Sequence, residues 1–448
     1  MEIFELGRII KDDFGNPIKI IKHLSSGGMF DVYRVEYLER ERALYWIKTD
    51  KSAYSENHYR NLHHNICIGA PDKTFLWPLE LTEKVNDSYG YITELIPGNY
   101  CTLGEVFNSG CNFSSFRVAC EACIRIASAL RILHNNGYCF MALDESNIHT
   151  NPQTGDILVN SENIVINGAR VDITCNQRYL APEKVVLDGR FCTSSHTDRH
   201  SLAVILFQIL FGGHPLEGKK WLVPCMTDSI MKKLYGSEAL FVFDLDDESN
   251  RPVKVIHKTV LNRWNCMPQY VKDMFLKAFS QKAMKEEPAN RPTEFDWINV
   301  LARLRSDIVE CSCGNEVFIQ SATNTKCDVC GKPIIAKNII ELNDYPVTAT
   351  KGSFLYRCQL GTCDPKDALN TVLLVVAKPD GTLGVKNVTD ENISAFTPAG
   401  KEKMVHPQEI VPFISGIVIN AFDSEIKLTE IKCESGCEID NQLDSKRT

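Results

Sequence analysis

The sequence predicts an α+β chain of several folding units, and three patterns along it carry that expectation. β-rich runs separated by Gly or charged turns fill the stretch from Pro17 to Gly98: Ile18 to Leu24, Phe30 to Tyr37 and Ala43 to Ile47. Apolar residues then recur at helical spacing, as in Val118, Ile124, Ala127, Leu130 and Leu133, and again over 198–213 and 268–307. After Cys311 the helical pattern stops, and Gly, Pro, Asn and Asp separate short strands such as Val372 to Val376 and Ile410 to Ile419.

The composition bounds the function classes. A chain of 448 residues, 44% hydrophobic and 24% charged, has ample material for large cores and lacks the charge runs of a disordered protein. Its net charge of −8 gives no overall positive field for nucleic acid or anionic lipid. The longest apolar stretch, Leu202 to Gly213, falls short of the roughly 20 residues of a membrane span and reads as a buried core helix. Met1 to Asp13 lack the basic, apolar and small-residue segments of a signal peptide, so the expected location is the cytoplasm, with no membrane partner. Most of the 18 cysteines stand singly in apolar patterns, as small hydrophobes in a reducing compartment do.

Several segments carry chemistry. Leu24-Ser25-Ser26-Gly27-Gly28-Met29-Phe30-Asp31-Val32-Tyr33 lies between two expected strands, and Lys48 closes a third at Tyr45-Trp46-Ile47. Gly27 and Gly28 would let backbone amides approach a phosphate, and Lys48 would set a point charge on it. Taken alone, the glycines can be a hairpin turn and the lysine a solvated edge. Farther on stand Trp77-Pro78-Leu79, Tyr91-Ile92-Thr93-Glu94-Leu95, Leu133-His134-Asn135-Asn136-Gly137, Tyr179-Leu180-Ala181-Pro182-Glu183, Asp198-Arg199-His200-Ser201-Leu202 and Pro288-Ala289-Asn290-Arg291-Pro292.

In this order the segments resemble the protein-kinase fold over about residues 15–307. The resemblance implies a bilobal protein-kinase-like fold, with an N-lobe over 1–98 and a C-lobe over 99–307. It assigns nucleotide contacts to Gly27, Gly28, Val32, Lys48, Glu94 and Leu95. Thr93 takes the gatekeeper position. Glu183, Asp198 and Arg291 take fold-stabilising roles, Arg291 pairing with Glu183.

The catalytic positions depart from the family. Phe140-Met141-Ala142-Leu143-Asp144-Glu145-Ser146-Asn147 aligns on the catalytic loop through Leu143 and Asn147, which puts Ala142 where the base aspartate belongs. Asn160-Ser161-Glu162 stands where the metal-binding aspartate should open its motif, and Cys175-Asn176-Gln177-Arg178 lacks the bracing threonine. Phosphoryl transfer needs one carboxylate to orient the hydroxyl and another to hold magnesium, so these losses imply a pseudokinase. The alternative is an active or weakly active Ser/Thr kinase with relocated acids: Asp144 as base, Asn147 and Glu162 as metal ligands. Otherwise Asp144 and Glu162 are solvated loop acids. ATP and Mg²⁺ binding stay open, because Ser25 and Phe30 replace two loop glycines and Phe30 can fold into the phosphate site. Glu56, only eight residues after Lys48, is the candidate partner of that lysine and otherwise a surface acid.

Cys311-Ser312-Cys313-Gly314 and Cys327-Asp328-Val329-Cys330-Gly331 are separated by a short hairpin's length. Two such pairs supply four thiolates tetrahedrally, which predicts a structural zinc ribbon over 308–337 on Cys311, Cys313, Cys327 and Cys330. Free thiols or a disulfide are the alternative. Cys358, Cys363, Cys433 and Cys437 form a second, looser quartet. The final stretch, 338–448, reads as a β-sandwich, faintly forkhead-associated-like, or a small β-barrel, and in either form as a docking module.

Gly212-Gly213-His214-Pro215-Leu216-Glu217-Gly218, Phe241-Val242-Phe243-Asp244, Asn250-Arg251-Pro252 and Phe75-Leu76-Trp77-Pro78 resemble the bacterial serine/threonine kinases of the tellurite-resistance triad. That resemblance implies a bacterial signalling or stress-response system, with a von Willebrand A-type protein and a metal-dependent phosphatase as partners.

Overall fold

The computed structural model describes residues 4–27, 29–48, 52–85, 88–108, 110–172, 176–187, 190–319, 325–327, 329–334, 337–342 and 345–430. Gly28, Cys175, Cys433 and Cys437, singled out above, lie outside the described residues. The architecture is α+β, and the chain divides into two compact units, Met1–Ala302 and Arg303–Thr448. No helix among the described residues is long and apolar enough to cross a membrane.

The first unit opens with a six-stranded antiparallel sheet in the order β1-β2-β3-β4-β7-β6. Its strands are β1 (Ile9–Lys11), β2 (Pro17–Ser26), β3 (Phe30–Tyr37), β4 (Arg40–Ile47), β6 (Glu80–Leu81) and β7 (Gly90–Thr93); β5 (Phe75–Leu76) pairs elsewhere, in parallel with Ile157–Asn160. Strand alternation gives the sheet two apolar faces. Ile10, Ile18, Ile20, Tyr33, Val35 and Leu44 cluster on one face beneath Phe4. Ala43, Tyr45, Ile47, Tyr89 and Tyr91 cluster on the other against Leu62 of α1 (Ser52–Ile68).

Helix α1 interrupts the stretch that reads as strands in the sequence. Its inward face carries His58, Asn61 and Asn65 among Tyr59, Leu62 and Ile66, so polar residues interrupt the apolar stripe and weaken the 3.6-residue signal. Both asparagine Nδ2 groups donate to the Ile164 carbonyl, at 2.8 and 3.1 Å.

The helical part is organised by Phe116–Asn135 and Ser195–Phe211, which pack together. Ser115 caps the first by accepting from Val118 N. Ser194 and Thr197 form a capping box on the second, which ends at Gly212 in the left-handed region, φ 74°. Ser195–Phe211 is buried on nearly every side, as its apolar residues, interrupted over 202–211 by Gln208, require. The 268–307 pattern resolves into helices Gln269–Ala278 and Glu294–Ser306. Between them Pro288 and Pro292 break the ladder of hydrogen bonds.

The second unit begins in the last turn of Glu294–Ser306, where Arg305 lies 3.5 Å above the Phe354 ring and donates to the Phe354 carbonyl. Two short hairpins follow, Ile308–Glu310 with Glu316–Phe318 and Thr325–Lys326 with Pro333–Ile334. The rest is two antiparallel sheets of six and four strands that share one core, including Val347, Leu355, Leu373, Val385, Ile419 and Leu428. Asn387, fully buried, donates to the Glu391 and Val405 carbonyls and accepts from Thr389, so its burial leaves no polar atom unsatisfied.

Candidate functional site

The described residues expected to bind nucleotide fall into separate groups: Gly27 with Lys48, Val32 with Leu95, and Glu94 with Arg42. Asp31 lies opposite Trp46 in the β3–β4 register, and Val32 opposite Tyr45. Val32 therefore faces α1 with Tyr45, whereas the Lys48 Nζ lies 3.7 Å from Asp31 and 2.5 Å from the Gly27 carbonyl, on the Trp46 side. Lys48 and Val32 serve opposite faces of one sheet. Ser26 Oγ donates to Asp31 at 2.6 Å, so Lys48 closes a local glycine-loop tether. Glu56 is exposed and pairs with Arg60 and Lys84, which makes it a surface acid. Glu94 pairs with Arg42 at 2.7 Å, and Leu95 packs against the α1-facing cluster.

That α1-facing side is filled with rings. Phe30 turns onto it and meets Tyr45 and Tyr91 edge-on, at centroid distances of 6.2 and 5.8 Å, and the His58 ring at 5.8 Å. Tyr45 and Tyr91 stack at 5.1 Å with an interplanar angle of 8°. Such contacts add to the area they bury, so the rings hold one another in place. His58 Nδ1 shares a 2.8 Å hydrogen bond with Tyr89 OH, and Tyr91 OH donates to Glu162 Oε2 at 2.9 Å. Burial pushes the Glu162 carboxyl above its ordinary range, against the Tyr91 hydrogen bond and with help from the Asp144 charge. Burial also draws His58 down to about 4. This face therefore disfavours charge on both its acid and its base.

The catalytic-loop segment is tied to itself. Asn147 is buried; its Oδ1 accepts from Asp144 N at 2.9 Å, and its carbonyl accepts from Asn160 N. Asp144 Oδ1 accepts from both the amide and the hydroxyl of Ser146. Ser161 Oγ donates to the Leu76 carbonyl at 2.6 Å. Glu162 stands within the field of Asp144, while Asn147 spends its side chain on loop geometry.

Below lies an ionic network that the sequence brings together only in part. Arg291, 1% exposed, makes a two-point ion pair with Glu183 at 2.8 Å per contact and donates to the Ala283, His196 and Met284 carbonyls. Asp198 accepts from Phe140 N at 2.8 Å and from His134 Nε2 at 3.1 Å. His134 Nδ1 reaches Glu294, which also takes Arg199. Burial alone would lower His134, but the hydrogen bonds to Asp198 and Glu294 outweigh it and raise the imidazole to about 9. The same contacts, with Arg199, overcome burial and hold Glu294 at about 2. His134, Cys139 and Asp198 come close enough to share a metal ion, yet both His134 nitrogens and Asp198 Oδ2 are already engaged. Glu183, Asp198 and Arg291 were legible in their motifs. His134 and Glu294 were not, because no short spacing links positions 160 residues apart.

In the second unit the two hairpins bring Cys311, Cys313, Cys327 and Cys330 together, with all four Sγ within 4.8 Å of one another. Cys311 and Cys330 are 3.5 Å apart, and Cys313 and Cys327 3.6 Å. A tetrahedral Zn²⁺ with bonds of about 2.3 Å sets sulfur atoms about 3.8 Å apart, so the donor set fits a metal ion closely. Each pair is followed by a glycine in the left-handed region, Gly314 at φ 86° and Gly331 at φ 68°. Their amides donate to the Cys311 and Cys327 carbonyls and close the two turns. The Cys330 and Val329 amides draw the Cys327 thiol down to about 6, toward the thiolate a metal requires. Among the described residues, the apolar cluster beside the thiols is small, with Val317 and Ile334 packed against Cys311 and Cys327.

A scan of the chain against protein-family models gives no match, and no curated protein is similar to it.

Proposed function

We propose that the chain is a catalytically impaired, protein-kinase-like protein, a pseudokinase acting as a regulatory or scaffolding subunit. The observation that carries the reading is the filled α1-facing side of the sheet: Phe30, Tyr45 and Tyr91 occupy the surface on which a nucleotide would be received, and Ile47 rather than Lys48 points there. Ala142 removes the base, and the ionic network about Glu183, Asp198, Arg291 and His134 supports the helical part without serving phosphate. The tetracysteine site holds a structural Zn²⁺, whose binding free energy stabilises the two hairpins beside their small apolar cluster. The two-sheet module that follows is a docking module. By the resemblance, the setting is a bacterial signalling or stress response, with von Willebrand A-type and phosphatase partners.

Thermal denaturation with millimolar ATP, with and without Mg²⁺, tests the reading, because a ligand of the folded state raises apparent stability. No shift is expected. The second reading, a Ser/Thr kinase with relocated acids, draws on the field of Asp144 at Glu162. It predicts a Mg²⁺-dependent shift and autophosphorylation that Asp144→Ala abolishes. For the metal, the purified chain should carry one Zn²⁺, lost in Cys313→Ser; an equal zinc content in that variant would remove the assignment.

A further inference from the structure

Two adjoining loops of the first unit hold apolar side chains out to solvent beside charges of opposite sign. Leu245 is 74% exposed, Val255 89% and Ile256 59%. Apolar residues scattered singly over a surface carry no message, but three on adjoining loops form a patch. Asp246, Asp247 and Glu248 follow Leu245, whereas Lys254 and Lys258 flank Val255 and Ile256. Glu248 reaches Arg251 at 3.4 Å, and among the described residues Asp246, Lys254 and Lys258 enter no ion pair.

Both loops are built rather than loose. Between them Asn250, 2% exposed, pins the segment by donating to the Leu216 and Leu240 carbonyls at 2.9 and 2.8 Å. In the acidic loop Asp244 Oδ1 accepts from the Asp246 and Asp247 amides at 3.0 Å each, and the preceding Phe243 ring stacks on Trp264 at 4.0 Å. In the basic loop the Ile256 and His257 amides donate to the Val253 carbonyl, and the Val253 amide donates to His257 Nδ1 at 2.9 Å. Loops fixed in this way lose little freedom when they are covered, which lowers the cost of association.

A partner that covers this surface has to set acids against Lys254 and Lys258, bases against Asp246, and apolar groups against the three exposed side chains. The segment itself carries both halves of that description. Turned about a twofold axis, the Leu245 loop of one copy meets the Val255 loop of the other, and the reverse contact forms at the same time, which is the self-complementarity of an isologous interface. We propose that segment 244–258 is the centre of a twofold interface between two copies of this chain, the acidic loop of each seated against the basic loop of the other.

Sedimentation equilibrium of the full-length chain tests the interface. A dimer that weakens as salt rises is expected. Asp246→Lys with Glu248→Lys makes the patch mainly basic, and Lys254→Glu with Lys258→Glu makes it mainly acidic; all four positions are exposed. Each double variant by itself should associate about tenfold or more weakly than the wild type, and an equimolar mixture of the two should recover a heterodimer. Val255→Ser, which leaves every charge in place, should weaken the dimer as well, and a near-ultraviolet circular dichroism spectrum like that of the wild type reports each variant folded. A wild-type chain that stays monomeric would overturn the proposal, as would a dimer that neither charge reversal weakens or a mixture that fails to associate. Growth into open-ended oligomers would replace the twofold contact with a head-to-tail one.

Discussion

The two buried polar regions of the first unit treat charge in opposite ways. Beneath the helices, His134, Asp198, Glu294, Arg199, Arg291 and Glu183 are ionised and paired, each charge meeting an opposite one at hydrogen-bond distance. On the α1-facing side of the sheet, Glu162 and His58 are held toward their neutral forms among aromatic rings, hydrogen-bonded to Tyr91 and Tyr89. Of the two regions, the helical network holds the paired guanidinium groups, Arg199 and Arg291.

The sharpest way to break this contrast is to unpair the network. Glu183→Ala leaves the almost completely buried Arg291 guanidinium with carbonyl acceptors only, and should cost about 3 kcal/mol in urea unfolding. A loss below about 1 kcal/mol would mean that the pair is no more than a surface contact.

His134 gives a pH signature. Its folded-state pKa, about 9, lies above the ordinary 6.5, so the stability it contributes is complete below about pH 6.5 and is lost as pH rises through about 9. The loss is up to roughly 3 kcal/mol between those limits. Unfolding midpoints measured from pH 6 to 10 should fall accordingly, and His134→Gln should flatten the slope. An unchanged slope in that variant would assign the alkaline loss to other groups.

The smallest effect is expected on the neutral side. Glu162→Gln keeps the shape and an acceptor for Tyr91 OH, so stability should change by less than about 1 kcal/mol. A loss of more than about 2 kcal/mol would show that Glu162 is ionised in place, and the contrast between the two regions would fail.

The cysteine pairs and the Glu183, Asp198 and Arg291 motifs were legible in the sequence because each depends on residue type at short spacing, and the structure joins Glu183 to Arg291 and the four cysteines to one another. The long apolar run at 202–211 was legible as a buried helix for the same reason. Helix α1 was hidden, since polar His58, Asn61 and Asn65 interrupt its inward stripe and their partners, the Ile164 carbonyl and Tyr89, are remote in sequence. Lys48 was misplaced for a different reason. A one-residue difference along a strand moves a side chain to the other face, and the β3–β4 register that decides the face is set by pairing rather than by local composition.

By itself, the sequence determined an α+β chain, the thiol donor set of a metal site, the absence of a carboxylate at position 142 and a helical part braced by buried ion pairs. Only the tertiary structure decided that Phe30 turns inward, that Lys48 serves the opposite face, and that His134 bridges Asp198 and Glu294. Residue identity fixes the chemistry a chain can offer, whereas sheet register and helix packing decide which of those groups meet, and in what environment they hold their charge.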